Sequence, residues 1–119
     1  MGWASRLVLA LPLMLALGSQ SAAALVTRGA PTCSEWLSDA KLERQAETWR
    51  VIADHFWLLG YISGLSVATG IDILKDTDND VLYQWMDKYC DAHVFRNLNE
   101  AADEYARTAI KEGQPERKP

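Results

Sequence analysis

Histidine is nearly missing from this chain: His55 and His93 are the only two in 119 residues. That scarcity excludes a histidine-based zinc site unless carboxylates complete it, and no H-x-x-x-H pair occurs. Cysteine is equally rare, with Cys33 and Cys90 alone and no C-x-x-C spacing, which argues against a redox pair. Clustered Lys and Arg are also absent. The 12 basic residues are scattered among 16 acidic ones, the formal charge is −4, and nucleic acid is thereby excluded as a partner, because phosphate backbones need a basic patch. Alternating apolar and polar residues never persist, and no hairpin dipeptide separates apolar runs, so strands are not expected. No internal repeat or low-complexity block appears.

What is present begins with an address. Arg6 precedes the apolar run Leu7 to Leu17, and the small residues "SAAA" follow. This is the pattern of a secretory signal peptide, residues 1–24, cleaved after Ala24. The run is shorter than the roughly 20 residues of a membrane span and is broken by Pro12. Cleavage would leave 95 residues with 11 basic and 16 acidic side chains, charge −5, enough for one domain over 25–112 with a tail over 113–119. The expected location is the periplasm or the exterior.

In an oxidising compartment the two cysteines are expected to pair. Closing a loop of 57 residues would stabilise a small fold by roughly 4 kcal/mol.

The apolar spacing predicts an all-α bundle of about four helices. Residues 33–41 read as a short helix, capped by Thr32 with Glu35 as the reciprocal residue and with Trp36 and Leu37 inward. A long helix is expected from about Leu42 to Ala68, with Trp49, Ile52, Phe56, Ser63 and Val67 along one stripe and Glu43, Arg44, Glu47, Arg50 and Asp54 in water. Gly70 suits a left-handed cap. A third helix, about 80–92, is expected to bury a wide face from Val81 through Trp85, Met86, Tyr89 and Cys90. A fourth, about 97–111, carries Leu98, Ala101, Ala102, Tyr105, Ala109 and Ile110 on one side.

The segment "WLLGYISGLSVATG" is the most apolar after the leader. A bilayer would penalise the nearby Asp54 by roughly 2.5 to 3.5 kcal/mol, so no stable membrane span is expected after cleavage. Gly60, Gly64 and Ala68 recur every four residues and leave a groove in which a second backbone can lie close. The expectation is that the Cys90 helix packs there, walled by Trp57, Tyr61, Trp85 and Tyr89; a peptide groove is the functional alternative.

No constellation specifies a reaction. Asp76, Asp78 and Asp80, with Asp87 at the twelfth place, imitate a calcium loop, but Val81 stands where the turn needs glycine and Asp87 is too short. Thr77 and Asp80 instead have capping-box spacing. Ser63 lies eight residues from His55 on one helix, about 12 Å away, which rules out a local triad. Neither catalytic residues, nor cofactor ligands, nor metal ligands are assigned, and no enzymatic activity is expected.

"TCSEWL", "WLLGYISG", "DILKDTDND" and "WMDKYC" together resemble a group of small exported proteins of Gram-negative bacteria that carries no assigned activity. The likeness covers about residues 32–106. More distantly, the size, the single long-range cysteine pair and the T-C-x-x-aromatic-L start are similar to the HdeA/HdeB periplasmic acid-stress chaperones. The glycine helix and cysteine usage resemble the Rap/Tai immunity proteins of type VI secretion. Each resemblance implies a periplasmic protein that binds a protein partner or client without catalysis, either as a chaperone in stress or by neutralising a secreted toxin. An accessory subunit of an envelope complex is a further reading, and a homodimer is compatible with all of them. The pI of about 5.1 means that acid turns the net charge positive and protonates carboxylates paired in the fold.

Overall fold

The structure, a computed structural model, describes residues 26–42 and 48–113. The leader 1–24 with its cleavage site, residues 43–47 at the expected start of the long helix, and residues 114–119 of the tail lie outside the described residues. Four helices follow one another: α1 (Cys33–Leu42), α2 (Thr48–Thr69), α3 (Asn79–Ala92) and α4 (Leu98–Gly113). Among the described residues there is no strand, only a single antiparallel bridge between Thr32 and Asn97.

The start of α1 is the expected capping box. The Glu35 amide donates to Thr32 Oγ1 at 3.1 Å, and the Thr32 amide donates to Glu35 Oε2 at 2.7 Å. A related arrangement opens α4, where the Asn97 amide donates to Glu100 Oε2 at 2.9 Å and Arg96 holds the other oxygen of that carboxylate at 2.7 Å. The helix that starts at Asn79 departs from expectation. Its N-cap is Asp78, with no side-chain cap bond, so the Thr77/Asp80 box does not form. Thr77 instead receives a hydrogen bond from the Tyr105 hydroxyl at 3.4 Å. Gly70 ends α2 with φ +69, a left-handed cap that a Cβ would strain, and its amide returns to the Ser66 carbonyl at 2.9 Å.

Cys33 and Cys90 form the disulfide, with Cα atoms 4.8 Å apart, and both are fully buried. Backbone hydrogen bonds reinforce this junction: the Cys33 amide donates to the Arg96 carbonyl at 2.8 Å and the Leu98 amide to the Pro31 carbonyl at 2.9 Å. The start of α1, the end of α3 and the start of α4 are thus held at one point. From it the core runs through Trp36, Leu58, Ile62, Leu82, Met86 and Leu98. Ala101, Ala102 and Ala106 face this core from α4, where small side chains let the helices approach closely.

The helix packing corrects the expected arrangement. α2 packs chiefly against α1 and α4, and α3 likewise, while α2 and α3 meet through side chains such as His55 on Tyr83. α3 does not lie on the glycine face of α2. Gly60 and Gly64 are exposed, and a Cβ at either would meet nothing within 4 Å. The stripe Trp49, Ile52, Phe56, Ser63 and Val67 faces outward, while Val51, Leu58 and Ile62 on the opposite side are buried. α2 is apolar on both sides, so the three-and-four spacing fits either face and does not identify the buried one. Val81 is likewise more than half exposed on α3.

Candidate binding cleft

The expected aromatic wall does not form around the glycines. It divides between two places. On α2, Trp57 and Tyr61 stack with centroids 5.1 Å apart; the Trp57 indole donates to the Arg28 carbonyl at 3.1 Å and the Tyr61 hydroxyl to Asp103 Oδ1 at 2.9 Å. Burial, helped by the Asp103 carboxylate, pushes the Tyr61 hydroxyl up to about 12. These bonds tie α2 to the segment that precedes α1 and to α4. Around α3, Trp85 stacks on Tyr89 at 5.5 Å and meets Tyr105 of α4 edge-on at 5.3 Å. Both groups are structural ties with half-buried rings.

A different set of polar and aromatic side chains comes together where α1, α2 and α3 diverge. A cleft of about 400 Å³ opens there, lined by Trp36, Asp54, His55, Asp80, Tyr83 and Asp87 among others. Helical periodicity places its walls. Trp36 looks across the bundle from α1 and donates its indole N–H to Asp87 Oδ1 of α3 at 2.7 Å. His55 lies flat on Tyr83, with centroids 3.7 Å and planes 12° apart, and Trp36 meets both rings at 5.3 and 6.1 Å. Three aromatic rings from three helices therefore close one end.

Carboxylates form the other part. Asp39 is buried, with 8% of its surface exposed, and Arg50 approaches it at 4.0 Å. Asp54 sits one helical turn beyond Arg50 on α2 and shares a hydrogen bond with Asp39. Desolvation, then the neighbouring charges of Asp39 and Glu35 and that hydrogen bond, raise the Asp54 carboxyl to about 6, against the opposing pull of Arg50. Asp80 completes the rim; burial, and after it the Asp80 charge, raises the Tyr83 hydroxyl.

Other residues singled out in the sequence lie apart from the cleft. Ser63 is exposed on the outer side of α2, and Ser66 Oγ accepts the Ile73 amide at 3.1 Å, so neither joins His55. His93 lies against Tyr89 at 4.5 Å. Asp76, Asp78 and Asp80 are exposed, Asp87 is engaged by Trp36, and among the described residues no set of three or more His, Cys, Asp or Glu is arranged to hold a metal ion. Sequence reading missed the cleft because its members come from segments up to 51 residues apart. The one local signal was Asp54 and His55, two polar residues inside an apolar helix.

Trp49–Thr69 is long and apolar enough by length and composition to cross a membrane, and little of it is buried. One side nevertheless packs on α1 and α4. No protein-family model, no curated protein and no solved structure matches the chain.

Proposed function

We propose that this chain is a small periplasmic protein-binding protein that does no catalysis of its own and recognises its partner while folded. The observation that carries the reading is the cleft between α1, α2 and α3: carboxylates of Asp54, Asp80 and Asp87 beside the rings of Trp36, His55 and Tyr83. A cationic side chain suits such walls, since it gains both carboxylate pairing and ring faces. An acidic surface that presents this cleft fits neutralisation of one basic partner, as the resemblance to Rap/Tai immunity proteins implies. A buried disulfide is compatible with an oxidising, exported compartment. The reading expects a neighbouring gene to encode a basic secreted hydrolase, and the test is calorimetric titration of the disulfide-intact protein with that gene's product at neutral pH. The expected result is salt-sensitive association that Asp80→Lys abolishes without loss of helicity; association indifferent to both salt and Asp80→Lys would refute the cleft as the contact.

A chaperone-like stress role, as in HdeA/HdeB, is the second reading. It draws support from large apolar side chains exposed in the folded state, with Phe56 71% and Phe95 100% accessible. Its mark is suppression of client aggregation and binding of an apolar dye as pH falls from 7 to about 3.

A further inference from the structure

The outer face of α2 is uncharged from end to end. Trp49, Ile52, Phe56, Gly60, Gly64 and Val67 fall on one side of the helix over about 27 Å, and all are exposed. At one end of this face the Arg50 guanidinium lies over the Trp49 ring, 5.1 Å from its centroid. Two features of the stripe have no explanation within a single chain. Glycine is the poorest helix former after proline, yet Gly60 and Gly64 occupy the interior of a 22-residue helix with nothing near enough to require a missing side chain. Trp49, Phe56 and Val67 are 64, 71 and 85% exposed on the same face.

We propose that this face is the interface of a homodimer, in which α2 of one copy crosses α2 of a second copy at Gly60 and Gly64. The order of sizes along the face supports a second copy over an unrelated occupant. A two-fold axis at Gly60, with the helices antiparallel, sets Phe56 against Gly64 of the second copy and Ile52 against Ala68 of the second copy. Gly60 meets its own counterpart in the middle, where backbones must be close, and on both sides a bulky side chain meets a small one. An isologous contact needs this self-complementarity, since every residue that gives a contact must also receive it. Charge favours the same face. Each copy carries a net negative charge, and the crossing brings together the part of the strip from Ile52 to Val67, whose outward residues carry no charge.

The area is adequate for a reversible dimer. Trp49 and Phe56 supply about 300 Å² of exposed surface, and the whole stripe roughly 600 Å² per copy, somewhat below the ~800 Å² per partner of a standard interface. Self-association is therefore expected to depend on concentration in the accessible range, with monomer and dimer in exchange.

Sedimentation equilibrium of the disulfide-intact protein over a wide concentration range tests this, alongside Gly60→Leu and Phe56→Glu. Because both positions face open space in the single chain, helicity and thermal stability report that the variants still fold. The expected result is a monomer–dimer equilibrium in the parent protein that each substitution weakens about tenfold or more. A crosslinker placed at position 63 should join copies in the parent and not in Gly60→Leu. A parent protein that stays monomeric throughout, a dimer untouched by both substitutions, or vesicle partitioning through Phe56 without self-association would each overturn the proposal. Since these readouts leave the α1–α2–α3 cleft untouched, the outcome is separate from that of the proposed partner binding.

Discussion

The carboxyl of Asp54 on α2 shares a hydrogen bond with that of Asp39 on α1, and Asp39 is buried. Two carboxylates in contact cannot both be ionised cheaply, and the raised value of about 6 for Asp54 means that the pair retains a proton close to neutrality. Its folded value exceeds the ordinary 3.8, so the folded chain binds this proton more tightly than the unfolded one. The resulting stability is fully present below about pH 4 and is lost as pH rises through 6.

Asp54→Asn keeps a donor for Asp39 and removes the titration. Screening at a partly exposed site reduces the effect, so the variant should be more stable than the parent by about 1 kcal/mol at pH 7.5 and nearly equal to it at pH 4. Urea unfolding at the two pH values reads this difference, and a variant equally destabilised at both would mean that Asp54 acts through packing alone. The sign also bears on function: this contact is strengthened by acid, so it does not act as the trigger for an acid-driven opening.

Glu35 works in the other direction. The Thr32 amide and hydroxyl hold its carboxyl below the ordinary 4.5, so its contribution is present above that value and fades as pH falls through the lowered one. Removing the cap with Thr32→Ala should cost about 1 kcal/mol at neutral pH. The loss should shrink in acid, where Glu35 is protonated and the hydrogen bond it accepts from the Thr32 hydroxyl is weaker. A loss that stays the same from pH 7 to pH 3 in thermal melts would separate the cap from this titration.

Much of the fold was readable because the decisive signals were local. Thr32 and Glu35 are three residues apart and form the box their spacing implies. Gly70 is the left-handed cap it was expected to be, and the observed helices start and stop within two residues of the expected bounds wherever both ends are described. The side of α2 that is buried was not readable. Leu58 and Ile62 on one side and Ile52 and Phe56 on the other are equally apolar, and the choice is made by α1 and α4, which the local pattern does not include. The cleft was invisible for the same reason: Trp36 reaches Asp87 only after the chain has turned back twice.

The disulfide should dominate global stability. Cys33→Ala combined with Cys90→Ala releases a 57-residue loop in the unfolded chain and leaves two small gaps in the core; the expected cost is about 4 kcal/mol. Guanidinium unfolding of the oxidised parent and the double variant gives the difference. The Cys33–Arg96 and Leu98–Pro31 backbone bonds keep the junction in register, so the variant should retain parent-like helicity in the absence of denaturant. Loss of helicity at zero denaturant would show that those bonds do not suffice.

Three glycines on or just after one helix should respond to alanine in opposite ways. At Gly60 and Gly64 the backbone is helical and the space outside is open, so alanine restricts the unfolded chain and removes exposed backbone without creating a clash. Each substitution should stabilise the dilute, monomeric protein by about 0.5 to 1 kcal/mol. Gly70 also has open space around a would-be Cβ, yet its φ of +69 places that atom against its own carbonyl. Alanine there should destabilise by about 1 kcal/mol. Thermal melts at low protein concentration separate the two cases. The same Gly60 and Gly64 variants, concentrated, should then lose affinity for a second copy while gaining stability alone, a combination that a purely structural role for these glycines within one chain does not produce.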